Sequence, residues 1–246
     1  IRLRVASDFT VRRFEGTNVI GRLNGRYRPH EAVVFTAHHD HLGKDDALIQ
    51  QGRDGIYNGA VDNASGVAMM LTLAEAFARH TVRPARSLVF ATLTAEESGL
   101  LGATYLAEHP PVPLLNTIAD LNVDSGNLYG PTSDIVGIGA ERSALLGLLR
   151  TAAREEGMTV TPDPRPNQGL LYRSDQLAFA RGGVPALFFN TGRSFRGQPA
   201  DYFDRMEAAY NQQRYHQPTD EVTPEMRYGG IIQQTRVAYR LGLRLA

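Results

Sequence analysis

The sequence contains no cysteine among its 246 residues. That absence excludes disulfide bonds, zinc sites built on thiolates and cysteine nucleophiles. A metal ion in this protein must therefore be held by histidine, aspartate and glutamate. An excess of one charge is missing too, because 26 lysines and arginines balance 26 aspartates and glutamates. Nothing in this balance favours binding to nucleic acid or to an acidic membrane surface.

Long apolar runs are also missing, and none approaches the roughly 18 residues that a membrane-spanning helix requires. The length of the chain suits one large α/β domain with a substantial core. We therefore expect a single domain over residues 1–246, and we expect its partner to be a small molecule or a peptide. The sequence does not predict an oligomeric state.

A group of histidines follows the first strongly apolar segment. The run Ala32-Val33-Val34-Phe35 predicts a buried strand. His38, His39, Asp40 and His41 come shortly after it. Open α/β sheets place their ligand sites at the carboxyl ends of the strands. Three histidines and one acid in four positions therefore indicate a metal site at this strand end.

Strand-like and helix-like segments alternate along most of the chain. The segments 32–35, 86–94, 118–123 and 184–189 have the pattern of strands, and 63–80, 98–108, 141–156 and 223–245 have that of helices. Residues 1–14 and 17–24 alternate apolar and polar side chains and predict a hairpin at the sheet edge. Together these segments predict an α/β protein, a three-layer αβα sandwich around a mixed, mostly parallel central sheet.

Further acids and a histidine stand at the ends of these elements. Taken singly, Asp62 is explained as a helix cap, Glu96 and Glu97 as a solvated helix start, and Asp124 as a turn residue. Taken as a set, they supply what two zinc ions roughly 3.5–4 Å apart require, one bridging carboxylate and about two further ligands each. The complete set is His38, Asp62, Glu97, Asp124 and His216. Glu96 is left over, in the position expected of a general base.

Five motifs in this order resemble those of the co-catalytic di-zinc aminopeptidases, a family of bacterial secreted aminopeptidases related to the glutamate carboxypeptidases. The motifs are HHDHLG at 38–43, GAVDNASG at 59–66, EESGLLG at 96–102, NVD at 122–124 and YHQPTD at 215–220. The resemblance extends from about Asn18 to the C-terminus.

This resemblance implies two zinc ions in each chain and a role for each ligand. Asp62 would bridge the two ions. Glu97 and His216 would complete one site, and His38 and Asp124 would complete the other.

The resemblance also implies catalytic roles for residues that do not bind the metal. Glu96 would be the general base and later the proton donor to the leaving amine. Asp40 would fix the tautomer of a metal-bound imidazole. Tyr172 and Tyr215 are two candidates for a hydroxyl that assists the reaction, and the packing of either ring is an equally good explanation of its presence.

Two features lie outside this set of implied roles. His39 and His41 are not ligands in the implied alignment. The block Tyr172-Arg173-Ser174-Asp175 resembles another motif of the family, in which a histidine usually follows the aspartate, but here Gln176 stands in that place. No ligand is lost, and we expect a hydrogen bond near the site to change.

The implied function is that of a metallo-exopeptidase, an aminopeptidase that hydrolyses N-terminal residues from peptides. A carboxypeptidase or dipeptidase would use the same ligands, and arginines that bind a substrate carboxylate would favour it. Arg173, Arg193 and Arg196 leave that choice open. A non-catalytic binding domain is a third alternative, disfavoured because all the expected ligands are present.

Many members of this family carry a signal peptide and a further domain upstream of the catalytic segment. The resemblance therefore implies that residues 1–246 are a zinc-peptidase catalytic domain excised from a longer precursor. It also implies that the protein is secreted or periplasmic.

Overall fold

The computed structural model describes residues 3–11 and 13–246. In this part of the chain the strands are β1 (Val19–Leu23), β2 (Arg28–His38), β3 (Gly43–Lys44), β4 (Ile56–Tyr57), β5 (Arg86–Leu93), β6 (Thr117–Val123), β7 (Asp134–Ile138), β8 (Thr159–Thr161) and β9 (Ala186–Thr191). The α-helices are α1 (Asp46–Gln50), α2 (Ser65–Ala78), α3 (Leu101–Glu108), α4 (Leu145–Glu155), α5 (Gln176–Arg181), α6 (Tyr202–Gln213) and α7 (Gly229–Leu245).

Seven strands form one central sheet in the order β1-β5-β2-β6-β9-β7-β8. The strands β5, β2, β6 and β9 run parallel to one another, and β7 and β8 are also parallel. The pairs β1–β5 and β7–β9 are antiparallel. The predicted mixed, mostly parallel sheet is therefore confirmed.

The two faces of this sheet are covered by different helices. Val33, Phe35 and Ala37 of β2 point to one face, where they join a core formed with α2, α4 and α7. Ala32 and Val34 point to the other face and pack with α3 and α5. Side chains alternate along a strand, so an unbroken apolar run supplies both cores. This arrangement confirms the three-layer sandwich.

The predicted N-terminal hairpin is wrong. Only its second arm forms a strand, β1, which pairs with β5. Residues 3–11 and 13–16 form neither helix nor strand, while residues 1, 2 and 12 lie outside the described part of the chain. The apolar side chains of this segment are exposed, including Leu3, Phe9 and Phe14. Alternation predicts strand propensity, but it does not supply a partner with which to pair.

The predicted start of the last helix is also wrong. The sequence Thr223-Pro224-Glu225 has the pattern of a helix start, yet α7 begins at Gly229. Instead, the Arg227 amide donates a hydrogen bond to the carbonyl of Leu128 in the segment after β6. This long-range contact competes with the local capping signal. Of the helices in the described residues, none is long and apolar enough to cross a membrane.

Several elements near the site have no clear local pattern in the sequence. The strand β7 pairs antiparallel with β9 and extends the sheet. The helix α6 has one buried residue, Phe203, and ends just before the motif that contains His216. Neither a short strand nor a mostly exposed helix carries a strong apolar period.

Candidate metal centre at the carboxyl edge of the sheet

All five predicted ligands meet at one edge of the central sheet. His38 is the last residue of β2, and Asp124 directly follows β6. Glu97 lies in the turn after β5, which pairs parallel with β2 so that His38 is opposite Leu93. Because parallel strands end at the same edge, these three side chains converge. Asp62, from the turn Ala60–Ala64 before α2, and His216, after α6, complete the set.

The first group of ligands surrounds His38. The Nε2 atom of His38 lies 3.2 Å from Oδ1 of Asp62 and 3.3 Å from Oδ1 of Asp124. The ring is held from its other side, where Nδ1 donates a hydrogen bond of 3.1 Å to the backbone carbonyl of Asp40. That bond fixes the tautomer in which Nε2 is free to bind a metal.

The second group surrounds His216. Its Nε2 atom lies 3.4 Å from Oδ2 of Asp62 and 3.2 Å from Oε2 of Glu97. One oxygen of Asp62 therefore faces each group. This is the arrangement that a carboxylate adopts when it bridges two metal ions.

The distances between these ligand atoms fit zinc. Bonds of about 2.0–2.2 Å in a tetrahedral site place neighbouring ligand atoms roughly 3.3–3.6 Å apart. The four contacts described above span 3.2–3.4 Å, longer than a good charged hydrogen bond and close to that tetrahedral edge. Nitrogen and carboxylate oxygen are also ligand types that zinc accepts. The residues present therefore fit two zinc ions.

The electrostatics of the two groups also favour cations. Burial alone would lower the pKa of His38, but the contacts with the carboxylates of Asp124 and Asp62 outweigh it and raise that pKa to about 12. For Asp62, burial would raise the pKa, and the contacts with His216 and His38 lower it instead. Buried carboxylates require a compensating positive charge, which either protons on the histidines or bound cations could supply.

Two side chains that the sequence analysis left without a role hold the Asp62 turn. The carboxylate of Asp220 accepts hydrogen bonds from the amides of Val61 and Asp62 at 3.0 and 3.1 Å. The side chain of Asn63 accepts from the amide of Ser125 at 2.9 Å and donates to the carbonyl of Val123 at 2.9 Å. Asn63 thus fixes Asp62 relative to the end of β6. Asn63 belongs to the motif GAVDNASG and Asp220 to the motif YHQPTD. Their place in these motifs was the signal by which the sequence could have identified them.

Asp40 acts on the glutamate turn through its side chain. Its oxygens accept hydrogen bonds from the amides of Glu96 at 3.0 Å and Glu97 at 3.4 Å. The same carboxylate lies 3.8 Å from Nδ1 of His38, beyond hydrogen-bond distance. The hydrogen bond that fixes the imidazole of His38 is therefore accepted by the backbone carbonyl of Asp40. The carboxylate of Asp40 instead positions both glutamates.

Backbone strain is concentrated beside the ligands. Ala95 precedes the glutamate pair and has φ of 55°, Ser125 follows Asp124 with φ of 69°, and His216 itself has φ of 56°. Non-glycine residues in this left-handed region cost about 1–2 kcal/mol each. Such residues cluster at functional sites because the surrounding structure must maintain them.

Glu96 lines the cleft beside the two ligand groups. Its burial, reinforced by the charge of Asp124, raises the pKa of Glu96 to about 9. A nearby cation would favour the ionised form of this carboxyl group. Glu96 is thus a group that can hold or release a proton next to the proposed metal ions.

The two predicted tyrosines line the same cleft, which has a volume of about 860 Å³. Tyr172 is 60% exposed. The ring of Tyr215 stacks on His216 with 3.9 Å between centroids, and burial raises the pKa of its hydroxyl. Phe188 also lines the cleft and gives it an apolar wall.

A buried polar cluster lies on the α3/α5 side of the sheet near its carboxyl edge. Gln176, in place of the histidine usual in the resembling motif, accepts a hydrogen bond from the Asn122 amide at 2.9 Å and donates one to the carbonyl of Leu171 at 3.0 Å. Its neighbour Asp175 is fully buried, and both of its carboxylate oxygens lack a partner among the described residues. Burial raises the pKa of Asp175 to about 7.

Asp175→Asn is expected to stabilise the metal-free protein at neutral pH. An unfolded aspartate has a pKa near 3.9, about three units lower, and each unit corresponds to about 1.36 kcal/mol. Because the folded state binds this proton more tightly, stability from this group is present at low pH and is lost as pH rises from about 4 to about 7. The advantage of the variant over wild type should therefore grow by a few kcal/mol across that range, measured by urea unfolding with a chelator present.

The exposed Asp8 provides a matched control for this experiment. Asp8→Asn should leave the free energy of unfolding close to that of wild type, because the side chain is exposed. An advantage of Asp175→Asn that stays constant with pH would contradict the raised pKa of Asp175.

The family model for peptidase family M28 matches residues 18–239. A probable zinc metalloprotease of Pyrenophora tritici-repentis is 28% identical over 219 residues, which cover 85% of this chain and 48% of that protein. The chain thus spans about half the length of this relative.

Two solved structures share the fold. The zinc aminopeptidase of Bacillus subtilis superposes with a TM-score of 0.64 at 21% identity, over 91% of this chain and 48% of that one. The LapA aminopeptidase of Legionella pneumophila superposes with a TM-score of 0.67 at 17% identity, over 93% of this chain and 53% of that one. The family match extends over nearly the whole of the chain, and on that evidence the protein belongs to peptidase family M28.

Proposed function

We propose that this chain carries the catalytic site of a zinc-dependent aminopeptidase that removes N-terminal residues from peptides. The observation that carries the proposal is the shared carboxylate of Asp62, whose two oxygens each face one group of zinc-compatible ligands. Membership of family M28 and the names of the relatives, which include aminopeptidases, support the same activity.

His38 and Asp124 would hold one zinc ion, and His216 and Glu97 the other, with Asp62 between them. When bound, these ions would supply Lewis acidity for the activation of water and for the stabilisation of negative charge on the scissile carbonyl. Glu96 takes the proton from the attacking water and returns it to the leaving amine. Tyr172 and Tyr215 each bring a hydroxyl to the cleft that can donate a hydrogen bond to the substrate.

A carboxypeptidase or dipeptidase activity is the second candidate, and the positions of three arginines bear on it. Arg193 forms an ion pair with Asp204, and Arg196 donates to backbone carbonyls away from the cleft. Only Arg173 of these three lines the cleft. It is exposed and has no carboxylate within ion-pair distance among the described residues. Arg173 would bind the C-terminal carboxylate of a substrate only if the peptide is short enough for that carboxylate to reach this side chain.

Zinc content and substrate preference test the proposed activity together. The purified protein should contain two zinc ions per chain and should hydrolyse leucyl and arginyl chromogenic substrates. The relative rates of hydrolysis show which N-terminal side chain the cleft prefers. The matching leucyl substrate with a blocked amine should not be cleaved, because its acyl group removes the positive charge that the acidic site recognises. Equal cleavage of the blocked substrate would contradict an aminopeptidase, and no zinc together with no turnover would contradict both enzyme proposals.

A further inference from the structure

We infer that His41 is a positioning residue that aims Glu97 at the metal site, an inference that rests on the proposed function and assigns a role to a histidine outside the implied ligand set. The Nδ1 atom of His41 lies 2.7 Å from Oε1 of Glu97. The other oxygen of the same carboxylate, Oε2, lies 3.2 Å from Nε2 of His216. The two oxygens of Glu97 are thus divided between two histidines.

The length of each contact distinguishes a hydrogen bond from a pair of metal ligands. A charge-assisted N–H···O hydrogen bond spans about 2.7–2.9 Å, whereas neighbouring ligands of tetrahedral zinc lie roughly 3.3–3.6 Å apart. The His41 contact of 2.7 Å matches the hydrogen bond. The His216 contacts of 3.2 and 3.4 Å are close to the ligand spacing.

This distinction matters because His41 is itself close enough to be considered a ligand. One ligand atom each from His41, Asp62 and Glu97 lies within 4.8 Å of the others. A carboxylate accepts hydrogen bonds and does not donate them, so the short contact requires a proton on Nδ1 of His41. That proton excludes a metal from Nδ1 and directs Oε1 of Glu97 towards His41. The other oxygen, Oε2, is the one that faces His216 and the second group of ligands.

The surroundings of His41 hold its ring in this orientation. The ring packs edge-on against His216 with 5.5 Å between centroids and lies 6.4 Å from the ring of Tyr57. On another side it contacts the backbone of Gly59, where an added Cβ would lie 3.0 Å from Cγ of His41. Its side chain is only 6% exposed. A buried ring confined in this way is preorganised to donate to Glu97.

The Nε2 atom of His41 is buried and has no hydrogen-bond partner among the described residues. A ring placed only to fill space would be replaced at lower cost by an apolar one, because an unpaired buried polar atom is unfavourable. The bond from Nδ1 to Glu97 is therefore the interaction that offsets the cost of burying this ring. Partners of this kind orient metal ligands, and their loss typically reduces metal affinity roughly 10- to 100-fold.

Stepwise zinc affinity measured by competition with a chelator tests this inference. His41→Phe preserves a ring and removes the donor. It should weaken one of the two zinc sites roughly 10- to 100-fold, while the other site keeps its affinity. His41→Asn places an amide donor near the former Nδ1 and should restore most of the lost affinity. The exposed neighbour His39 provides the control, since His39→Phe should leave both sites unchanged.

Variants that each retain a single zinc site show which of the two sites His41→Phe weakens. In His216→Ala, which should retain only the zinc at His38 and Asp124, the additional change His41→Phe should have no effect on the remaining zinc. In His38→Ala, which should retain only the zinc at His216 and Glu97, the same change should weaken the remaining zinc. Absorption of the cobalt-substituted protein adds a readout independent of activity, because band intensity reports the number of ligands.

Three results would overturn the inference. Unchanged affinities in His41→Phe would show that the hydrogen bond does not position Glu97. Equal weakening of both sites, without rescue by Asn, would indicate a general disturbance of packing. Two zinc ions of normal affinity in His216→Ala would make His41 a ligand. If instead the wild-type protein binds no zinc, the proposed function itself fails.

Discussion

Glu96→Gln is expected to reduce kcat for a free-amine substrate by at least ~10², the usual scale for the loss of a general base. The amide keeps the size of the side chain but cannot accept the proton of the attacking water. Because Glu96 is not among the ligands, zinc content should stay at the wild-type value. Metal analysis and steady-state kinetics on the same preparation measure both quantities.

Glu108 offers a control for this substitution, because it is an exposed glutamate at the end of α3. Glu108→Gln should leave kcat and zinc content unchanged. Wild-type turnover in Glu96→Gln would remove Glu96 from the mechanism. A parallel loss of zinc and turnover would instead assign Glu96 to the metal site.

Asp62→Ala is expected to abolish binding at both zinc sites. Single replacements of His38 or His216 should each release one ion, because each histidine belongs to one group, whereas Asp62 faces both. Residues that contact a metal only through one of its ligands already contribute roughly 10- to 100-fold in metal affinity. Loss of a ligand that both ions share should therefore lower the zinc affinity of each site by more than ~10². Zinc analysis after equilibrium dialysis measures the number of ions retained.

Circular dichroism should verify that Asp62→Ala still folds, since Asp220 and Asn63 hold the surrounding turn through other atoms. Asp46→Asn on the exposed helix α1 is a suitable control and should retain both ions. One zinc of wild-type affinity in folded Asp62→Ala would contradict the bridging role.

Much of the fold could be predicted because its core strands carry strong local signals. The run at residues 32–35 predicts a buried strand, which extends over Arg28–His38 in the structure. The apolar segments at 86–94 and 118–123 likewise correspond to β5 and β6. These strands are covered on both faces, so their sequences are mostly apolar and easily recognised.

Elements whose formation depends on a distant partner could not be predicted in this way. The segment before β1 alternates as a strand should, but its described residues, 3–11 and 13–18, form no strand. The start of α7 is displaced because Arg227 bonds to Leu128, far away in the sequence. The strand β7 is short and depends on its pairing with β9. The local sequence pattern of a segment indicates its propensity to form a strand or a helix. The energy of pairing depends instead on both of the segments that pair.

The sequence by itself determined the types of chemical group available and the strand ends at which they stand. Without cysteine, any metal must be bound by histidine and carboxylate. Parallel strands then bring His38, Glu97 and Asp124 to one edge, since their carboxyl ends share it. The motif order added the expected roles of Asp62 and Glu96 through resemblance to a family.

Only the tertiary structure decided which atoms face one another. It divides the oxygens of Asp62 between His38 and His216, and those of Glu97 between His216 and His41. It also shows that Asp40 reaches the glutamate turn with its carboxylate. The His41 contact of 2.7 Å has the length of a charged hydrogen bond, whereas the 3.4 Å contact between His216 and Asp62 is close to the spacing of zinc ligands. Such distances are set by packing across separate elements, and no local stretch of sequence encodes them.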